Sequence, residues 1–346
     1  MPCARAFKNL RLLLMRLRDV NMKLKVGVWI PNFGSWTPIE DYSLDFDLLK
    51  ELAQAADSYG FDCIWVSDHL INPAGAKPGG GPVEDRPVFE AWTTLSALST
   101  LTTKTRLGNL VLCNSFRYPS LLAKMAATLD LISNGRFILN IGAGWFRKEA
   151  IAYGIPWTQY SKRFASLEEA IKVIKKLWQE REVSFKGEYF DLENAILEPK
   201  PVQKPRPPIW IGGKSDNVLR LVAKEGDGWD IDIHENVLAS LEERVTSLRD
   251  YCLSIGRNSE EIEISTHAMA IPMRNREEAM KLALPHARAI NKSVKEFADS
   301  HFIGSPKDII EKLGKYRDVG LTNLCLIFGN GLEGIELFAN EVIPEI

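Results

Sequence analysis

Four short stretches carry residue types that can do chemistry at a useful spacing. Asp68-His69 follows directly on an apolar run, Cys63 to Ser67. Histidine titrates near neutrality and suits proton transfer. The aspartate beside it could orient the ring or bury a hydrogen bond; a helix-capping Asp next to a loop His reads equally well from position. Ile138-Leu139-Asn140-Ile141-Gly142-Ala143-Gly144-Trp145 is an apolar run ending in a Gly-x-Gly turn. Gly142 and Gly144 strip side chains from that turn, which lets backbone approach a flat or anionic ligand. Trp145 then reads as a lid over a ring system or as a loop anchor. Gly212-Gly213-Lys214-Ser215 opens a helix, where backbone N–H groups face outward at a positive helix end. Lys214 adds a charge and Ser215 a hydroxyl, and the combination predicts a phosphate site. Cys113-Asn114 closes another apolar run. His234 and His267 are weaker candidates, and His267, inside a strand, reads as a satisfied core residue.

The elements that must position these residues alternate along the chain. Apolar strands are expected at Lys25 to Pro31, Cys63 to Ser67, Arg106 to Leu112, the stretch around Ile138, Ile209 to Ile211, Gly228 to Ile233, Ile262 to Pro272 and Asn323 to Phe328. Helical spacing follows each strand, as in Leu44, Leu48, Leu49, Leu52, Ala53 and Ala56, or in Phe164, Leu167, Ala170, Ile171 and Ile174. Eight such units predict a parallel sheet closed into a (β/α)8 TIM barrel with insertions. An open doubly wound sheet would show a glycine fingerprint after the first strand with an acidic residue ~20 positions on, and no such fingerprint follows the first strand here. A small hairpin at 183–197 and the region 273–303 read as insertions. Apart from His267, the candidate residues fall at strand C-terminal ends, the end of a barrel where ligands bind. No His-x-His follows the first strand and no carboxylates cluster there, so metal-assisted hydrolysis and a bound metal are not expected.

Composition bounds the class further. The 346 residues are 45% hydrophobic and 25% charged, with a net charge of −2. That is globular composition without the basic field that would suggest nucleic acid or a membrane surface. Five cysteines form no C-x-x-C pair, which fits reduced thiols and a cytoplasmic protein. No apolar run reaches the ~20 residues of a membrane span. Residues 1–21 interleave Arg and Lys with Leu and read as a dispensable extension or a misplaced start, leaving 22–346 as one barrel domain.

Several segments together resemble the bacterial luciferase-like superfamily of flavin and deazaflavin oxidoreductases. They are Ala56-Asp57-Ser58-Tyr59-Gly60-Phe61-Asp62 leading to Trp65-Val66-Ser67-Asp68-His69; Arg117-Tyr118-Pro119 with Ala126-Ala127-Thr128-Leu129-Asp130 and Gly135-Arg136; Gly142-Ala143-Gly144-Trp145 with Glu149 and Tyr153-Gly154; and Pro208-Ile209-Trp210-Ile211-Gly212-Gly213 with Asp227-Gly228-Trp229. The Ser-Asp-His run and the Gly-Ala-Gly-Trp turn are most similar to F420-dependent oxidoreductases. The resemblance implies a TIM barrel carrying coenzyme F420, a deazaflavin, or alternatively FMN. It places Asp68-His69 beside the reactive ring and Leu110-Val111 behind it, at a point where relatives often carry a non-proline cis peptide. It assigns Ala143, Gly144, Gly212, Gly213, Lys214 and Ser215 to tail and phosphate contacts, and adds Asn114, Trp145 and Tyr153 to the cofactor-binding set. Sugar-phosphate dehydrogenases of the superfamily carry Glu where this chain has Trp145, which argues for a more apolar substrate or a stacking role. The implied chemistry is hydride transfer at the deazaflavin C5 carbon, with His69 exchanging a proton with a small organic substrate and Asp68 orienting it. An FMN monooxygenase served by a separate flavin reductase, and a cofactor-holding protein without turnover, are the alternatives. Relatives are commonly homodimers.

Overall fold

Lys25–Ile30 forms the first strand, β1, because Val26, Val28 and Ile30 can pack outward while Gly27 and Trp29 turn inward. The computed structural model describes residues 23–33, 45–73, 86–232 and 237–346. The basic N-terminal stretch, Leu44, the Gly79-Gly80-Gly81 run and His234 lie outside the described residues. After β1 come α1 (Phe46–Ser58), β2 (Cys63–Val66), α2 (Ala91–Leu101), β3 (Arg106–Asn109), β4 (Leu112–Cys113), α3 (Pro119–Ile132) and β5 (Phe137–Gly142). The chain continues through α4 (Arg147–Ala152), α5 (Tyr160–Gln179), the strands β6 (Val183–Lys186) and β7 (Asp191–Ala195), β8 (Ile209–Gly212), α6 (Asp216–Glu225), β9 (Gly228–Ile231) and α7 (Val237–Ser254). It ends with β10 (Glu263–Pro272), α8 (Arg276–Ala289), α9 (Val294–Ser300), β11 (Phe302–Gly304), α10 (Pro306–Asp318), β12 (Asn323–Phe328) and α11 (Gly331–Glu341).

Eight strands pair in parallel in the order β1-β2-β3-β5-β8-β9-β10-β12, and β12 returns to β1. This is the closed (β/α)8 barrel expected from the alternation. Each strand is buried on both faces, which is why its sequence reads as a continuous apolar run. Outward side chains such as Val28, Ile64, Leu139 and Leu326 pack on the helices, while Trp29, Trp65, Ile138, Trp210, Met269 and Ile327 fill the interior. Helix ends are set by local chemistry: Asp45 accepts from Leu48 N to start α1, and Ser305 and Asp308 close a reciprocal cap ahead of Pro306.

The expected hairpin at 183–197 is present as β6 and β7, and two other details depart from the expected elements. The third strand does not run unbroken to Leu112: the Leu110–Val111 peptide is cis, and β4 resumes beyond it against β5. The region 273–303, read as an insertion, holds two helices, and the three-residue β11 that follows them pairs in parallel with the end of β10.

The barrel is plugged below its mouth. Trp65 and Trp210 meet in the interior with ring centroids 5.1 Å apart. Gly27 and Gly108 leave room for Trp65, and Gly228 for Trp210; a Cβ at Gly27 would lie 2.6 Å from the Trp65 indole nitrogen. Beyond the plug, at the far end, Arg106 and Lys25 both bond the Glu263 carboxylate, and Arg106 and Glu263 also bond Asn323. Among the described residues no helix is long and apolar enough to cross a membrane.

Candidate active site

The loop after β2 delivers Asp68 and His69 to the barrel mouth, where they take separate partners. The His69 Nδ1 lies 3.1 and 3.2 Å from the two Glu149 carboxylate oxygens, and Leu70 N donates to the same carboxylate at 2.9 Å. A carboxylate can only accept, so Nδ1 carries the proton, and in the neutral form of the ring the lone pair is on Nε2. The ring stands edge-on to Phe33, Trp145 and Phe146, at centroid distances of 5.8, 5.6 and 6.2 Å. Trp145 is 56% exposed and stacks on Phe146, so it forms the outer wall of the His69 pocket. Glu149 reaches this position because the Gly-x-Gly turn runs straight into the short α4, which carries it.

The expectation that Asp68 orients His69 is corrected by these contacts. Asp68 accepts from Cys113 N at 2.9 Å and from both terminal nitrogens of Arg117, at 2.9 and 3.0 Å. Its side chain is 1% exposed, and a buried carboxylate is stable there only because the forked guanidinium and the backbone N–H satisfy it. Asp68 thus ties the end of β2 to the start of the next crossover, while Glu149 orients the histidine. Tyr153 adds to the same loop, its hydroxyl donating to Leu70 O at 3.1 Å.

The remaining candidates surround the mouth. Val111, just past the cis peptide, lies against the bare backbone of β5 and β8; a Cβ on Gly212 would come within 2.8 and 2.9 Å of its methyl groups, and one on Gly142 within 3.4 Å. Leu110 turns into the interior cluster. The Ala143-Gly144 turn is pinned by Arg163, whose Nε donates to Ala143 O at 3.2 Å and Nη2 to Gly144 O at 3.4 Å. That guanidinium lies 3.9 Å from the centroid of Trp157, so it is fixed in turn. Cys113 Sγ sits under Gly144; burial pushes this thiol up to about 12, with the Asp68 charge adding to it, so it stays neutral. Asn114 is 6% exposed and its Nδ2 donates to Ser166 Oγ at 3.3 Å, but its Oδ1 has no partner among the described residues. Ser215 caps α6 by accepting from Val218 N and shares a 3.1 Å hydrogen bond with the Tyr160 hydroxyl. Lys214 is exposed at the same helix end. His267 departs from its reading as a plain core residue: its Nε2 lies 3.2 Å from Asp232 Oδ1 at the rim.

These groups suit a planar ring with an anionic tail. Backbone N–H groups at the start of α6, two hydroxyls and an ammonium are the donors an anion needs. The side-chain-free strands at Gly142 and Gly212, the unpartnered Asn114 oxygen and the aromatic wall leave polar and flat surfaces for the rest of the molecule. Among the described residues no group of His, Cys, Asp or Glu is arranged to hold a metal ion. Sequence reasoning missed the roles of Glu149, Arg117 and Arg163. Glu149 and Arg117 stand in the quoted segments and Arg163 lies on α5 beside its apolar stripe, but the pairing of each is a contact between distant elements.

The chain has recognisable relatives among known proteins. The sequence profile of luciferase-like monooxygenases matches residues 24–302. An F420-dependent glucose-6-phosphate dehydrogenase of Amycolatopsis mediterranei is 27% identical, the match covering 86% of this chain and 94% of the relative. An FMNH2-dependent dimethylsulfone monooxygenase of Pseudomonas putida is 25% identical over 94% of this chain and 96% of that one. Among solved structures, an F420-dependent secondary alcohol dehydrogenase in complex with an F420-acetone adduct shares the fold, with a TM-score of 0.77 at 20% identity, covering 94% of this chain and all of that one.

Proposed function

The chain belongs to the luciferase-like monooxygenase family, and on that premise we propose that it is an oxidoreductase that binds coenzyme F420 and exchanges a hydride with a small organic substrate. The observation that supports this reading most is His69, held at Nδ1 by Glu149 with Nε2 unengaged among the described residues. When bound, the deazaflavin supplies the carbon that accepts or gives the hydride. In the oxidising direction Nε2 takes the proton of the substrate hydroxyl. The Glu149 carboxylate stabilises the imidazolium that results, as a carboxylate behind a general-base histidine does. In the reducing direction the same nitrogen returns the proton. Gly212, Gly213, Lys214 and Ser215 hold the tail phosphate, Ala143, Gly144 and Asn114 its neighbouring polar groups, and Leu110 and Val111 back the ring. Trp145 excludes water from His69. A homodimer in the cytoplasm belongs to the same proposal.

The FMN reading rests on the similarity to the dimethylsulfone monooxygenase, and it would require a separate flavin reductase. Titrating the protein with oxidised F420 and, separately, with FMN tests both by fluorescence quenching. Micromolar or tighter F420 binding with weak FMN binding is expected. FMN preference together with oxygen consumption would replace the proposal with a monooxygenase, and binding of neither would overturn both. With cofactor bound, His69→Ala should lower turnover by ~10²-fold or more; unchanged turnover would remove His69 from the chemistry.

A further inference from the structure

Beneath the mouth, on the β9–β10 side, the barrel interior holds a polar patch that the chemistry above does not use. Asp230 is 2% exposed there, beside the buried Ser265 and Asn140. His267 spans the gap to the rim: its Nδ1 lies 3.9 Å from Asp230 Oδ2 and its Nε2 3.2 Å from Asp232 Oδ1. The Asp232 side chain is 49% exposed, so the three residues form a line from solvent into the interior. Trp29 fixes the imidazole edge-on at 5.5 Å, and Trp29 also meets Phe33, the ring that flanks His69. Asn140 is fully buried, yet among the described residues neither its Nδ2 nor its Oδ1 has a hydrogen-bond partner, and Asp230 Oδ1 has none either. Buried polar atoms are rarely left so, and clustering three of them points to an ordered water or to a working group.

We propose that Asp232, His267 and Asp230 form a proton path from the rim to a buried proton store, completed by one ordered water on the Asn140 amide and Asp230 Oδ1. The path rests on the oxidoreductase reading, since hydride exchange with an alcohol or carbonyl substrate releases or consumes one proton per turnover. A proton arriving at Asp232 passes to His267 Nε2. The imidazolium releases its Nδ1 proton to Asp230 through the bound water, and the ring ends neutral in the other tautomer, with no electrons moved. Burial pushes Asp230 up to about 6, the charge of His267 opposing that rise and Asp232 adding to it. From β12 the facing group is Cys325, a thiol held neutral because burial raises it well above its ordinary value. From β5 and β10 Asn140 and Ser265 face it, and neither titrates.

The test begins with the protein free of cofactor. Histidine labelled with nitrogen-15 is followed by NMR from about pH 5 to about pH 8. The expected result is a step near pH 6 in the His267 signals that Asp230→Asn abolishes and that Asn140→Leu moves to higher pH, because the Asn140 amide, through the bridging water, helps hold Asp230 ionised. A wild type without that step, or a step unmoved in either variant, overturns the proton store. If Asp230→Asn does not fold, the Asn140→Leu shift decides. In the loaded enzyme the turnover profile should lose, in Asp230→Asn, an inflection near the same pH that is additional to the limb set by the His69 base, and an unchanged profile overturns the link to turnover. Failure of both F420 and FMN to bind would sink the proposed function and leave the cofactor-free titration to judge the store by itself.

Discussion

Replacing Gly144 by Ala tests the turn that carries Trp145 to the histidine. Gly144 has φ +79°, and a methyl group there would lie 2.5 Å from Cys113 Sγ and 3.4 Å from Trp157 Cη2. Favourable contact between such atoms needs ~3.5–4 Å, so the overlap with sulfur is about 1 Å. A left-handed backbone costs an L side chain about 1–2 kcal/mol. Overpacking against a fixed neighbour adds about 1–3 kcal/mol. Cys113 cannot swing away easily, because its backbone N–H is bound to Asp68 and the turn above it is bound to Arg163. The expected loss is therefore about 2–5 kcal/mol. Cys113→Ala removes the sulfur, so in the double variant only the backbone cost at position 144 should persist, leaving a favourable coupling of about 1–3 kcal/mol between the two positions. Urea unfolding of the four proteins, compared at equal slope, measures both quantities. A loss below about 1 kcal/mol for the single variant, or no coupling, would refute the reasoning.

Three further outcomes follow from contacts at and near the site. Glu149→Gln removes the charge that stabilises the His69 imidazolium, worth about 1.5–3 kcal/mol, hence roughly 10–100-fold in turnover, while the amide oxygen still accepts from the neutral ring and from Leu70 N, so the urea midpoint should barely move; a shifted midpoint with unchanged turnover would make Glu149 a loop anchor only. Arg117→Met strands the buried Asp68 charge and should cost about 3–5 kcal/mol, and Asp68→Asn added to it should recover part of that in the same unfolding assay. Asp57, on α1, resists its partial burial because the N–H groups of Thr105, Lys104 and Thr103 bind its carboxylate, and its pKa falls to about 2 from 3.8. Its stabilisation, about 2 kcal/mol, is fully present above pH 3.8 and lost as pH falls through about 2; Asp57→Asn should remove it and flatten the stability profile in that window.

The barrel was legible because closure buries both faces of each strand and leaves unbroken apolar runs such as Asn323 to Phe328, whose bounds match β12. That same two-sided burial hides which inward positions are polar: Asn140 and Asp230 sit in runs that read as core. The break at Leu110–Val111 came from family resemblance and not from spacing. β11 escaped notice because three residues between two helices carry no period to detect. At the site, His69, the Gly-x-Gly turn and the Gly212–Ser215 helix start were visible as residue types at strand ends. Their electrostatic partners were not. Asp68 lies next to His69 in sequence but pairs with Arg117, 49 positions away, while Glu149 reaches His69 from 80 positions away. Adjacency in a loop says little about which carboxylate faces which cation once the chain has closed into a ring.

The tryptophan plug has a consequence for how such a protein can diversify. Trp65 and Trp210 occupy notches left by glycines on other strands, so enlarging Gly27, Gly108 or Gly228 demands a simultaneous reduction of an indole. Single substitutions there are dead ends, and the barrel floor is locked as a unit. At the rim Gly144 against Cys113 and Gly212 against Val111 are interlocked in the same way, whereas exposed side chains such as Trp145 and Lys214 are not. New specificities can be sampled one residue at a time at such exposed positions above the plug, and a library that spares the interlocked glycine pairs would explore substrates without spending its members on broken barrels.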